Sequence, residues 1–250
     1  MTRYTPVPSK HVGILAHSAE GATLSYRTVW QEGIAAMGPH NHPQITMSGI
    51  AMHHAMEMWE AGDLAGLRAL FLEDARRLAA AGADFFILPD NTAHIALEQP
   101  GEGFPIPCLH IAEVVAREAK ARGYRHIGVL GTDWTMEGPV YKGALARHGL
   151  ERAIPGDADR AYIHDAIFEE LCLGEFRDET RDGFVRIIEG LKEAECDAAA
   201  LVCTEIPLLV TPDVSPLPLL DSTRLQAAAA VQVALGNMAM PQWRCGPPPA

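Results

Sequence analysis

Short apolar runs rich in Val, Ile and Leu alternate along this chain with longer stretches whose apolar residues recur every three or four positions. HVGILA (residues 11–16), PQITMSGI (43–50) and FFILP (85–89) read as strands. A helix is predicted from about Thr23, another from Leu64 to Ala81, and a third after FFILP. In the second of these, Leu67, Leu70, Phe71 and Leu78 fall on one face, and Gly82 is placed to stop it. Strands that alternate with helices in this way predict parallel sheets with helical crossovers, an α/β fold. The end, WRCGPPPA, is Pro-rich and predicts a flexible tail over 241–250.

The pattern also repeats. HVGIL at 11–15 returns as HIGVL at 126–130, DFFILPD at 84–90 as DAAALVC at 197–203, and PIPCLH near 105 as PLPLLD near 216. Three matches in one order at nearly equal spacing predict two pseudosymmetric α/β lobes, each a parallel-type sheet flanked by helices. The expected division is 1–105 plus about 216–240 for the first lobe and 106–215 for the second.

Under this repeat, Asp90 and Cys203 occupy the same place in the two lobes, each at the carboxyl end of a strand. Open α/β sheets present their ligand sites there, so the site is expected in the interlobe cleft. A carboxylate at the tip of FFILP is costly to bury unless it is paired, protonated or used. Helical turns follow both residues, with Asn91, Thr92 and Thr204 as candidate caps and Pro207 suited to a first turn. Such helix entrances offer N–H groups to a carboxylate ligand and favour a thiolate at Cys203. Burial is expected to raise the pKa of Asp90 from its ordinary value of about 3.9. The simplest alternative is that Asp90 merely caps a helix and Cys203 is a buried inert thiol.

Composition narrows the partners. A net charge of −12 repels nucleic acid and anionic membranes, and only 6% of the residues are aromatic, too few for a base-stacking platform. No uninterrupted apolar run reaches the length of a membrane span. Five widely spaced cysteines without a C-x-x-C pair, and no secretory pattern at the start, point to a reduced, cytoplasmic setting. Cys108, Cys172 and Cys196 read as structural thiols. The histidine pairs His40 with His42 and His53 with His54 lack acidic residues at ligand spacing, so no metal is expected.

DNTAH (90–94) and VCTEIPLL (202–209), with GVLGTDWTMEGPVYKGAL and LPLLDSTRL in the same order, resemble the signatures of the aspartate/glutamate racemase superfamily. The resemblance implies a cofactor-independent enzyme, a small carboxylate-bearing substrate and a homodimer. In the racemases of that superfamily two cysteines flank the substrate Cα, one removing and one returning the proton. Here the first is Asp90, with Cys203 as the second. The loop AHSAEG carries His17 and Ser18 where the family has a glycine-rich carboxylate-binding turn, and SGIAMHH lacks the charged residues that related enzymes place there. Thr132 and Thr135 match a stretch the family keeps beside its site.

The expected site is therefore Asp90 and Cys203 as catalytic groups. Asn91, Thr92, Thr204, His17, Ser18, Thr132 and Thr135 hold the substrate, and His94 and Glu205 support. Three roles for Asp90 stay open. It forms a mixed two-base racemase or epimerase with Cys203; or Cys203 alone donates a proton in a decarboxylase, cis-trans isomerase or lyase; or Asp90 holds a cationic substrate group. A small-carboxylate-binding protein without catalysis is the remaining class.

Overall fold

The computed structural model describes residues 7–248. Its first half runs β1 (Val12–Ala16), α1 (Ala19–Met37), β2 (Ile45–Gly49), α2 (His53–Glu60), α3 (Leu64–Ala80), β3 (Phe85–Ile87) and a single turn, α4 (His94–Leu97). Then come α5 (Ile111–Ala121), β4 (His126–Leu130), α6 (Asp133–Glu137), α7 (Pro139–Arg147), β5 (Glu151–Ala153), α8 (Asp157–Glu169) and α9 (Asp178–Glu193). The chain closes with β6 (Ala198–Leu201), the short α10 (Ile206–Leu209), β7 (Leu219–Asp221) and α11 (Ser222–Ala234).

Two parallel sheets result, ordered β2-β1-β3 and β5-β4-β6-β7. The central strands are apolar because helices cover both faces: Val12, Ile14, Leu15, Ile127, Val129 and Leu130 have no exposure. The sequence repeat reappears bond by bond. Asp84 N–H donates to the His11 carbonyl (2.9 Å) as Asp197 N–H does to that of His126 (2.8 Å). Phe86 N–H donates to the Pro107 carbonyl and Ala199 N–H to that of Pro218, both at 2.9 Å.

The lobes exchange helices. α5 packs Ala112, Val115 and Ala116 against Ile127, Val129 and Ala198 of the second sheet, whereas α11 packs Ala227, Ala230 and Val231 against Val12, Ile14 and Phe85 of the first. The strands do not cross with them. Cys108 bridges to Phe86 of the first sheet, and β7 pairs with β6 in the second. The helices follow the expected division, 106–215 with the second lobe and 216–240 with the first, while the short segments at Cys108 and Leu219–Asp221 pair with the sheet of the half before them.

Other expectations shift as well. α1 starts at Ala19 rather than Thr23, because the Ser18 hydroxyl accepts from Gly21 N–H and caps it. The helix after FFILP is one turn only. Of the tail expected at 241–250, residues 249–250 lie outside the described residues, and the rest is hydrogen-bonded to the body: Phe104 N–H donates to the Arg244 carbonyl (2.9 Å), Cys108 N–H to that of Trp243 (2.8 Å), and Gly246 N–H to that of Leu97 (2.6 Å). Proline content concealed this, since the docking uses backbone carbonyls and the Trp243 ring, which stacks on buried His94 (6.2 Å, 15°). α3 ends as predicted, with Gly82 in the left-handed region (φ +89°).

Candidate active site

Four strand ends meet at one cleft. β1 delivers His17 and Ser18, β3 delivers Asp90, β4 delivers Thr132, and β6 delivers Cys203 with Thr204 and Glu205; all of them line it. Its empty volume is about 490 Å³, including space open to solvent.

Asp90 Oδ2 bonds His17 Nδ1, and its Oδ1 accepts from Ala93 N–H at 3.0 Å. Asp90 thus caps the turn and also faces the cleft. Burial pushes its carboxyl up, but the His17 charge and hydrogen bond, with the Ala93 N–H, outweigh this and hold it below its ordinary value. This corrects the expectation of a raised value, which took account of burial and lacked the partner from β1. Burial likewise pulls the His17 imidazole down, while Asp90 overcomes that and raises it. The two form an ion pair. His17 rests edge-on against Phe71 (5.4 Å, 88°), and its Nε2 is buried without a protein partner.

Across the cleft, the Cys203 thiol donates to Glu205 Oε2 at 3.0 Å, and the Thr204 hydroxyl donates to the same oxygen at 2.9 Å. Burial, and then the Glu205 charge, push the Cys203 thiol well above its ordinary value. The thiolate expected from a helix entrance is therefore absent. α10 is only four residues long, and the carboxylate beside the sulfur dominates the local field. Ser18 Oγ and Thr204 Oγ1 lie 3.4 Å apart, joining the lobes here. Gly21 permits this approach, since a Cβ there would fall 2.7 Å from Thr204 Oγ1 and 2.8 Å from the Pro89 carbonyl oxygen.

The remaining predicted residues separate into lining and support. Thr92, Thr132 and Thr135 form a hydroxyl triangle with sides of 2.8 to 3.0 Å that ties β3's loop to α6. Thr92 and Thr132 line the cleft; Thr135 stands behind them, 1% exposed. Asn91 also lines the cleft, but its side-chain amide is committed elsewhere. Oδ1 accepts from Tyr141 Oη (2.6 Å) and Nδ2 donates to Ser222 Oγ (3.0 Å). Both polar atoms of the side chain thus tie the lobes together beside the cleft. His94 is fully buried, with Nδ1 2.8 Å from the Asp90 carbonyl oxygen and Nε2 accepting from Ile111 N–H at 3.3 Å. Burial and neighbouring His110 pull its pKa to about 3, so it is a neutral support for the Asp90 backbone.

Sequence reasoning missed the apolar part of the lining: Met52, Met56, Trp59, Trp134, Ile167 and Phe168. Apart from Met52, which precedes α2, these are helix residues with apolar side chains, and in sequence they carry no signal that distinguishes a cleft lining from a core. Cys172, read as a structural thiol, also lines the cleft; burial, Glu205 and Asp90 push it to about 12. Among the described residues, no group of three or more His, Cys, Asp or Glu side chains is arranged to hold a metal ion. No helix among them is long and apolar enough to cross a membrane.

Comparison with known proteins agrees with this architecture. A structure of a candidate Asp/Glu racemase from Yersinia pestis superposes with a TM-score of 0.80 at 32% identity, covering 90% of this chain and 99% of that one. An aspartate racemase homologue from Pyrococcus horikoshii OT3 gives 0.75 at 23% identity, over 90% and 98%, and supports the fold alone. In sequence, the chain is 25% identical over 169 residues to the broad specificity amino-acid racemase RacX of Bacillus subtilis (strain 168), 68% of this chain and 73% of that protein. The family model for Asp/Glu/hydantoin racemases matches residues 14–230, most of the chain and both lobes, and the chain belongs to that family.

Proposed function

We propose that this protein is a cofactor-independent racemase or epimerase that moves a proton at the α-carbon of a small amino acid or related carboxylic acid. One observation carries the reading. Two proton-handling groups end equivalent strands of the two lobes and line one cleft, Asp90 hydrogen-bonded to His17 and Cys203 hydrogen-bonded to Glu205. Asp90 takes the Cα proton on one face, the C–H electron pair moves into the substrate carboxylate as an enediolate, and the Cys203 thiol delivers its proton to the opposite face. Ser18, Thr92, Thr132 and Thr204, with backbone N–H groups, hold the carboxylate and its developing charge. Glu205 raises the basicity of the Cys203 thiolate that forms, which equips it to remove the proton in the reverse direction.

A second reading has its own support. An Asp90 carboxylate held below its ordinary range is a weak base, whereas the Cys203 proton is available to a carbanion generated in another way. Under that reading Cys203 alone protonates an enediolate left by loss of carbon dioxide or by alkene isomerisation. The two are separated by assaying solvent deuterium incorporation at Cα across amino and hydroxy acids, beside carbon dioxide release from substituted malonates. Two-base racemisation predicts that Asp90→Asn lowers exchange by about 100-fold or more while Asp90→Cys retains it. Carbon dioxide release that survives Asp90→Asn but not Cys203→Ser decides for the second reading. Activity unchanged by Cys203→Ser contradicts both.

A further inference from the structure

We infer that the ligand of this site bears an aromatic or large aliphatic group, and that acidic side chains are excluded. The inference takes its site from the proton-transfer reading above and specifies what occupies it. Three observations converge. First, much of the lining is apolar: Met52, Met56, Trp59, Trp134, Ile167 and Phe168. Second, three of its rings form a continuous surface across the lobe boundary. Trp59 from α2 stacks on Trp134 from α6 at 5.9 Å and 17°, and Trp134 meets Phe168 from α8 edge to face at 5.8 Å and 76°. Trp134 is 38% exposed, an indole left at the mouth of a cleft where a ligand can cover it.

Third, charge excludes the alternative. Among the described residues, the lining contains no Lys or Arg, and its one cationic side chain, His17, is already paired with Asp90. The other ionisable carboxyls in the lining, Asp90 and Glu205, repel a second anionic group. A distal substrate carboxylate would therefore sit against rings and thioethers with no counter-charge, and its desolvation would go uncompensated. A phenyl, indole or branched aliphatic group instead gains ring contacts and removes apolar surface from water.

Calorimetric titration with the unreactive probes phenylacetate, succinate and glutarate tests this without requiring turnover. Phenylacetate is expected to bind about tenfold or more tightly than either dicarboxylate. Equal or tighter binding of a dicarboxylate, or no measurable phenylacetate binding, overturns the inference. Trp134→Arg, at a partly exposed position where folding is little affected, should narrow or reverse the ratio by adding a counter-charge and removing a ring. An unchanged ratio in that variant contradicts the assigned wall. Deuterium exchange on phenylalanine, leucine, aspartate and glutamate, run in parallel, separates the two claims. Tight phenylacetate binding without exchange on any substrate leaves the ligand class standing and counts against proton transfer. Exchange confined to aspartate or glutamate supports proton transfer and overturns the ligand class.

Discussion

Asp90 stays charged in a buried position because His17 faces it, and the consequence is a pH dependence of definite sign. The depressed Asp90 pKa contributes stability that is present above its unfolded value of about 3.9 and is lost as pH falls through the lower folded value. The raised His17 pKa contributes stability that is complete below about 6.5 and is lost as pH rises through the higher folded value. The pair is fully stabilising between roughly pH 4 and 6.5. Replacing His17 by Asn should therefore raise the Asp90 pKa and move the acid limb of the pH–rate profile upward; an unmoved limb would show that Asp90 does not titrate in turnover. Asp90 itself was legible in the sequence, because a carboxylate at the tip of FFILP needs a reason. Its partner's effect was not, since His17 lies 73 residues away and only β1–β3 pairing brings them together.

At the level of elements, the site is assembled from strand ends and the turns that follow them, so it depends on how closely two lobes approach. At Gly21 in α1 the approach leaves no room for a Cβ. Gly21→Ala should drive α1 from Thr204 and the Pro89 carbonyl, costing about 1–3 kcal/mol by the usual toll of overpacking, and a denaturant titration measures it. Tyr141→Phe tests the adjacent tie. It leaves the buried Asn91 Oδ1 without its donor at a cost of about 1–3 kcal/mol, and an unchanged unfolding midpoint would show that this bond contributes nothing. Strand positions were readable because parallel strands buried on both faces leave dense apolar runs. Helix entrances are less legible: the Ser18 hydroxyl also caps α1, and the Asn91 amide also holds Tyr141 and Ser222. A capping or tying amide and a ligand-binding one look alike in sequence, since both call for a short polar side chain.

Over the whole molecule, the repeat that matched Asp90 to Cys203 is the feature that turns two isolated residues into one site. It was legible because both halves keep the same strand spacing and the same Asp-to-backbone bonds at Asp84 and Asp197. The exchange of α5 and α11 follows the division expected from the repeat, which gave 216–240 to the first lobe and 106–215 to the second, whereas the docking of the tail was not legible, because it rests on backbone carbonyls. The central claim is proton transfer between Asp90 and Cys203 through one carbon atom. It is tested most directly by incubating a single enantiomer of an accepted substrate in deuterium oxide and following both enantiomers at early conversion. The two-base account predicts deuterium at Cα of the product but not of the recovered substrate, with conversion lost in Cys203→Ser. Deuterium appearing in the recovered wild-type substrate as fast as in the product, or conversion that persists in Cys203→Ser, would contradict it.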